Sequence, residues 1–148
     1  INRLPLINQR KYYSGGLPKL KGQEENYIKS FDKMLDVIFD LYQKGIGIVP
    51  GTDGLPGFLF HRELELYEKS GILSAEVLKL ATIKAAEIIG VSKLYGSIEV
   101  GKKADLILID GNPIKDISKL RNIEWTMKEG NIYYSKELYA SMGIKHYK

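Results

Sequence analysis

The sequence contains no cysteine. Disulfides, thiolate nucleophiles and thiolate metal ligands are therefore excluded together, and the absence suits a reducing, cytoplasmic setting. Histidine is almost as scarce. Only His61 and His146 occur, far apart in the chain, and no His-x-His pair is present. No apolar run approaches the ~20 residues that cross a bilayer. Arg3 is not followed by the long apolar stretch of a secretory signal. A strong excess of one charge is missing too: 22 Lys and Arg face 18 Asp and Glu, a net +4. The lysines alternate with acids, and only Lys19 with Lys21 and Lys102 with Lys103 sit close together. This pattern describes a solvated surface; neither a nucleic-acid face nor a membrane contact is expected.

What is present suffices for a core. The chain has 148 residues, 44% of them hydrophobic and 27% charged, the balance of a soluble domain. At this size roughly 68–70% of the unfolded chain's surface can be buried.

Local patterns divide the chain. Residues 1–22, with "YYSGGLPKLKG", carry chain-breakers and little periodicity, and an irregular loop or ragged end is expected. From Gln23 to Lys44, Tyr27, Ile28, Phe31, Met34, Leu35, Ile38 and Phe39 fall three or four apart, the spacing of an amphipathic helix. Glu24 and Glu25 suit its positive first turn, and Gly45 its left-handed exit. Ile46 to Pro50 is apolar without alternation and predicts a short strand covered on both faces. Helices are predicted over Phe60 to Lys69 and over Ser74 to Ile89, the latter capped by Ser74 and ended by Gly90. After Gly90 the period changes. Leu106 to Ile109 predicts a buried strand. Ile123, Trp125 and Met127 alternate with polar residues, and Glu129, Gly130 and Asn131 turn the chain into Ile132 to Tyr134. Ser135 to Met142 predicts a terminal helix within the 135–148 tail.

"GIVPGTDGLPG", Gly47 to Gly57, places one carboxylate, Asp53, where the first predicted strand ends. A Thr-Asp-Gly sequence makes a good turn, its carboxylate bonding a nearby N–H. The same position also suits a catalytic carboxylate at a barrel mouth, where Gly51, Gly54 and Gly57 allow close backbone approach. His61 follows at a helix start. It is either a partly exposed polar residue or a substrate contact. Asp105 is expected to tie down a turn, and Trp125 and Tyr133 to belong to the core.

Three segments carry a family resemblance: "GIVPGTDG", "HRELELYEKSGILSAEVLKLATIKAAEIIG" and "YGSIEVGKKADLILIDGNPIKDISKLRNIEWTMKEGNIYY". In this order the chain, over roughly residues 24–134, resembles the C-terminal end of metal-dependent amidohydrolases, above all imidazolonepropionase-like and prolidase-like members. The resemblance implies an α/β fold: the last helix–strand–helix units of a (β/α)8 barrel over 23–95, with Ile46 to Pro50 as the eighth strand, then strands of a small composite β-sandwich over 96–134. It implies hydrolysis of C–N bonds in amides, cyclic amides or dipeptide-like substrates. Asp53 would be metal ligand and proton shuttle, His61 a substrate contact, and the metal a divalent ion, with zinc the first candidate.

The family's other ligands are not in this sequence. A (β/α)8 barrel needs at least ~200 residues, and a catalytic zinc site about three protein ligands, of which Asp53 supplies one. The expectation is therefore a fragment, a truncated product or one chain of a split enzyme. Alone it would be inactive, and it would associate with itself or with the missing N-terminal part of the barrel. The alternative is a non-catalytic α/β interaction or assembly module derived from the same fold.

Overall fold

The computed structural model describes residues 2–14, 20–54 and 57–145. His146 lies outside the described residues. Helix α1 is Leu6–Ser14, α2 Glu24–Gln43 and α3 Leu59–Lys69. Then α4 (Ser74–Lys79), a π turn (Leu80–Lys84) and α5 (Ala85–Ile88) run on end to end. Strand β1 (Leu106–Ile109) is followed by a 3-10 helix (Ile117–Arg121), by β2 (Ile123–Lys128) and β3 (Asn131–Tyr134), and by helix α6 (Ser135–Ser141).

The core forms where α3, α4 and the 3-10 helix meet. Leu64, Tyr67, Ile72, Val77, Leu80, Ile117 and Leu120 are buried there, with Ile38, Phe39 and Tyr42 of α2 packed against them. On α2 the predicted stripe is only half used. Leu35 is buried, but Tyr27, Ile28 and Met34 stay exposed, as does Val37 outside the stripe. The exit of α2 follows expectation: Gly45 has φ +69°, and its N–H donates to the Tyr42 carbonyl at 3.0 Å.

Several expectations are corrected. The stretch 1–22 is not irregular throughout, because Leu6–Ser14 is helical. "LINQRKYYS" contains no breaker, and Pro5 accepts from the N–H groups of Asn8 and Gln9 at 2.9 and 3.0 Å. The segment 46–50 is no strand: it belongs to no sheet among the described residues. A strand needs a partner for its N–H and C=O groups, and apolar sequence alone does not supply one. Ile46 and Val49 are accordingly exposed. Ser74 is not a cap. Leu73 occupies that position, and the Ser74 hydroxyl donates instead to Glu68 Oε1.

The helix expected over 74–89 is interrupted by the π turn, within which the Thr82 hydroxyl donates to the Leu78 carbonyl at 2.6 Å. Gly96 presses on this turn. A Cβ there would come within 2.8 Å of Ile83 Cα and 3.1 Å of the Thr82 carbonyl, so any larger residue would displace backbone.

The sheet is antiparallel in the order β1-β2-β3, with Leu106 opposite Met127 and Trp125 opposite Tyr134. The hairpin turn is made by Glu129 (φ 49°) and Gly130 (φ 86°), two left-handed residues as a tight two-residue loop requires. Asp105 fastens it as expected, accepting from the Glu129 N–H at 2.9 Å and from Lys128 Nζ. The Lys128 bond, then the Glu129 N–H, hold this carboxyl below its ordinary pKa. Helix α6 packs on β2 and β3. Trp125 is half-buried. Tyr133, expected in the core, is exposed, because it lies on β3, an edge of the sheet.

Candidate functional site

The loop after 46–50 is held at three points. The buried Tyr67 hydroxyl, from α3, donates to the Val49 carbonyl at 3.1 Å. Pro50 is buried. The Thr52 hydroxyl oxygen accepts from the Gly54 N–H at 3.1 Å, closing a bend around Asp53. Asp53 itself is exposed at the crown of this bend. The close approach expected of the glycines holds at Gly54, where a Cβ would fall 2.0 Å from Leu59 Cδ1. It does not hold at Gly51, which faces open space, or at Gly57, which instead supplies a left-handed φ of +77°. Leu55 and Pro56 lie outside the described residues.

His61 stands in the first turn of α3 and is half-buried. Burial pushes its pKa down, a hydrogen bond to the Gly57 backbone opposes this, and the Arg121 charge lowers it further. Its ring is thereby favoured neutral. Glu65 and Arg3 are its other charged influences, so Asp53 is not among the groups that set its state. A cavity of about 300 Å³ is lined by Leu4, Tyr12, Phe58, Leu59, Arg62 and Arg121, without His61. The two sequence candidates thus occupy different elements, one at an exposed bend and one in the first turn of a helix.

Sequence reading passed over three carboxylates of α3. Glu65 accepts from Arg121 Nε at 2.6 Å and Arg62 Nη1 at 3.1 Å, joining α3 to the 3-10 helix. Partial burial alone would raise its pKa, but the two arginine hydrogen bonds overcome this and hold it low. Glu68 Oε1 accepts from Ser74 and from the Ile117 N–H, the latter at 3.3 Å. One oxygen therefore joins α3 to the starts of α4 and of the 3-10 helix. Glu63 has its pKa raised by burial. Tyr67, four residues on, has its own raised by burial and then by the Glu63 charge. Its hydroxyl therefore keeps its proton and stays a donor to Val49. The available signal was positional: Glu65 and Glu68 fall three apart on a helix whose Leu64 and Tyr67 are apolar-facing.

No group of three or more His, Cys, Asp or Glu side chains gathers to hold a metal among the described residues. The donors present do not fit a complete metal centre.

The profile of the Amidohydrolase family matches residues 40–133. The chain belongs to the amidohydrolase family. It is 51% identical over 51 residues to the 5'-deoxyadenosine deaminase of Methanobrevibacter smithii, covering 34% of this chain and 12% of that protein. It is 32% identical over 110 residues to the imidazolonepropionase of Thermoanaerobacter pseudethanolicus, covering 71% and 24%. The crystal structure of a Xaa-Pro dipeptidase with bound methionine in its active site superposes with a TM-score of 0.64 and 34% identity, over 69% of this chain and 26% of that one. The chain thus spans about a quarter or less of the length of these relatives. The likeness carries an α/β amidohydrolase-like fold that includes a small antiparallel sheet.

Proposed function

We propose that this chain is the segment of a C–N bond hydrolase that supplies the carboxylate at the end of the eighth barrel strand, Asp53. The observation that carries this is the 46–54 stretch, without strand pairing among the described residues. An apolar segment, inside the family match, ends in an anchored bend whose crown is one exposed carboxylate. In barrel enzymes the chemistry sits at the C-terminal ends of the strands. On this reading residues 46–50 become a strand once neighbours pair with them, and the exposed face of α2 is covered by the rest of the barrel or by a second copy.

The candidate metal, zinc first, would take its other ligands from outside these residues. Asp53 itself can move a proton. As the carboxylate it accepts one proton from the attacking water. Oxygen bonds to the carbon, the C–N bond breaks, and the same proton passes to the leaving nitrogen. His61, half-buried and favoured neutral in the first turn of α3, is the proposed substrate contact. Alone, the chain would hydrolyse nothing and retain little zinc through dialysis.

Three probes follow the relatives' names: Met-Pro, the imidazolonepropionase substrate and 5'-deoxyadenosine. The assembled hydrolase should turn over one of them. Asp53→Asn should lower kcat by at least ~10²–10⁴-fold, as loss of a proton-transfer group does, and leave the fold unchanged by circular dichroism. Near-normal kcat in Asp53→Asn would make Asp53 a turn former only. The second reading, a non-catalytic module, is favoured by the fully buried Ile72, Ile117 and Val77, a core closed without further chain. Absence of turnover in the assembled protein would select it.

A further inference from the structure

Segment 46–50 lacks strand pairing among the described residues, so its main chain is fixed by a few bonds. At its start the Ile46 N–H donates to the Leu41 carbonyl at 3.1 Å. At its end the Tyr67 hydroxyl donates to the Val49 carbonyl at 3.1 Å. Tyr67 is only 6% exposed and belongs to the core cluster. Packing at such a position needs the ring and not the hydroxyl. A buried phenol must find an acceptor, and this one finds it at the entrance to the Asp53 bend. Between Val49 and Asp53 stand Pro50, Gly51 and Thr52, and Gly51 is the one permissive joint. Pro50 is buried with its φ fixed by its ring, and the Thr52–Gly54 bond closes the bend. A hold on the Val49 carbonyl therefore narrows where the Asp53 bend can sit, with Gly51 left as its one free joint.

We infer that Tyr67 is a positioning residue for Asp53: its hydroxyl fixes the Val49 carbonyl and with it the place of the carboxylate. This rests on the reading of Asp53 as the site carboxylate. The assignment separates the two duties of α3. Leu64 and the Tyr67 ring make core, while the Tyr67 oxygen reaches out of the core to the loop.

Tyr67→Phe keeps the ring and removes the bond. The first readout is magnetic resonance on the 148-residue chain with carbonyl-13C valine and 15N proline. Val49–Pro50 is the only Val-Pro pair in the sequence, so a single carbonyl is detected. Its resonance should move in Tyr67→Phe. The second readout is steady-state kinetics of the assembled hydrolase on whichever of the three probes it turns over. Displacing a reacting group by about 1 Å can cost ~10²-fold, so Tyr67→Phe should lower kcat ten- to a hundredfold, with KM unchanged. A bond of structural value only would leave kcat alone. An unmoved Val49 resonance overturns the inference whatever the kinetics. A moved resonance with normal kcat, beside an inactive Asp53→Asn, overturns positioning by Tyr67 and leaves the role of Asp53 standing. Normal kcat in Asp53→Asn overturns that role itself, and with it the positioning.

Discussion

Val77 on α4 has none of its surface exposed, whereas Val37 on α2 leaves 48% of its surface to solvent. The same residue type marks two different regions. Around Val77 the chain closes on itself: α3, α4 and the 3-10 helix bury a common core and are fastened by Glu65 and Glu68. Around Val37 it stays open. Tyr27, Ile28, Met34 and Val37 on α2, and Ile46 and Val49 beyond it, are all exposed. Contiguous apolar patches above about a few hundred Å² are rare on soluble monomers. The closed region explains how the chain holds its shape, and the open region contains the segment that carries Asp53. On the function proposed above, its apolar surface is what a neighbouring barrel element or a second copy would cover.

Substitutions can break this contrast, and the largest effect is expected in the core. Ile117→Ala, at a site 1% exposed, should cost about 2–5 kcal/mol, as buried Ile-to-Ala changes do. Met34→Ala, at a site 64% exposed, should stay within about 0.5 kcal/mol. Urea midpoints at a protein concentration low enough to keep the chain dissociated check both. Equal losses there would mean that this face is already covered within the single chain.

Next comes the fastening. Glu68→Ala removes the acceptor of the Ser74 hydroxyl and the Ile117 N–H and should cost about 1–3 kcal/mol by the same measurement. Glu68→Gln, which keeps an acceptor oxygen, should cost less. Equal costs for the two would place the effect in lost packing.

The smallest effect is a pH dependence with opposite signs on one helix. Glu65 has a lowered pKa in the folded chain. Its stabilisation is present above the ordinary carboxyl value of ~4.3 and is lost as pH falls through the lowered folded value. Glu63 has a raised pKa. Its contribution is present below ~4.3 and is lost as pH rises through the raised folded value. Glu65→Gln should therefore weaken the loss of stability on acidification. Glu63→Gln should slightly stabilise the chain at pH 7 and change nothing below ~4. Thermal midpoints between pH 3 and 8 read both signs, and two variants that shift alike would contradict the assignment.

The contrast also explains what could be read from the sequence. Helices α2 and α3 and the β2–β3 hairpin were legible because their signals are local: a stripe at helical spacing, and Glu129 and Gly130 between alternating runs. The 46–50 strand is not formed among the described residues, because apolar sequence specifies burial but not the neighbour that provides it. The π turn at Leu80–Lys84, against which Gly96 packs, left no mark in the apolar periodicity. Asp53 was legible as a carboxylate where an apolar run ends. The bond from Tyr67 to Val49 was not, because a tyrosine within an apolar stripe reads as core until its oxygen is placed.

The central claim is that the exposed apolar surface of α2 is built to be covered, and sedimentation equilibrium of the purified chain at micromolar concentration tests it most directly. The account predicts that the chain self-associates and that Val37→Glu, which puts a charge into the open face, returns it to a single species of 16.7 kDa. A monodisperse 16.7 kDa species for the unsubstituted chain, unfolding at the same urea midpoint at every concentration, would contradict it.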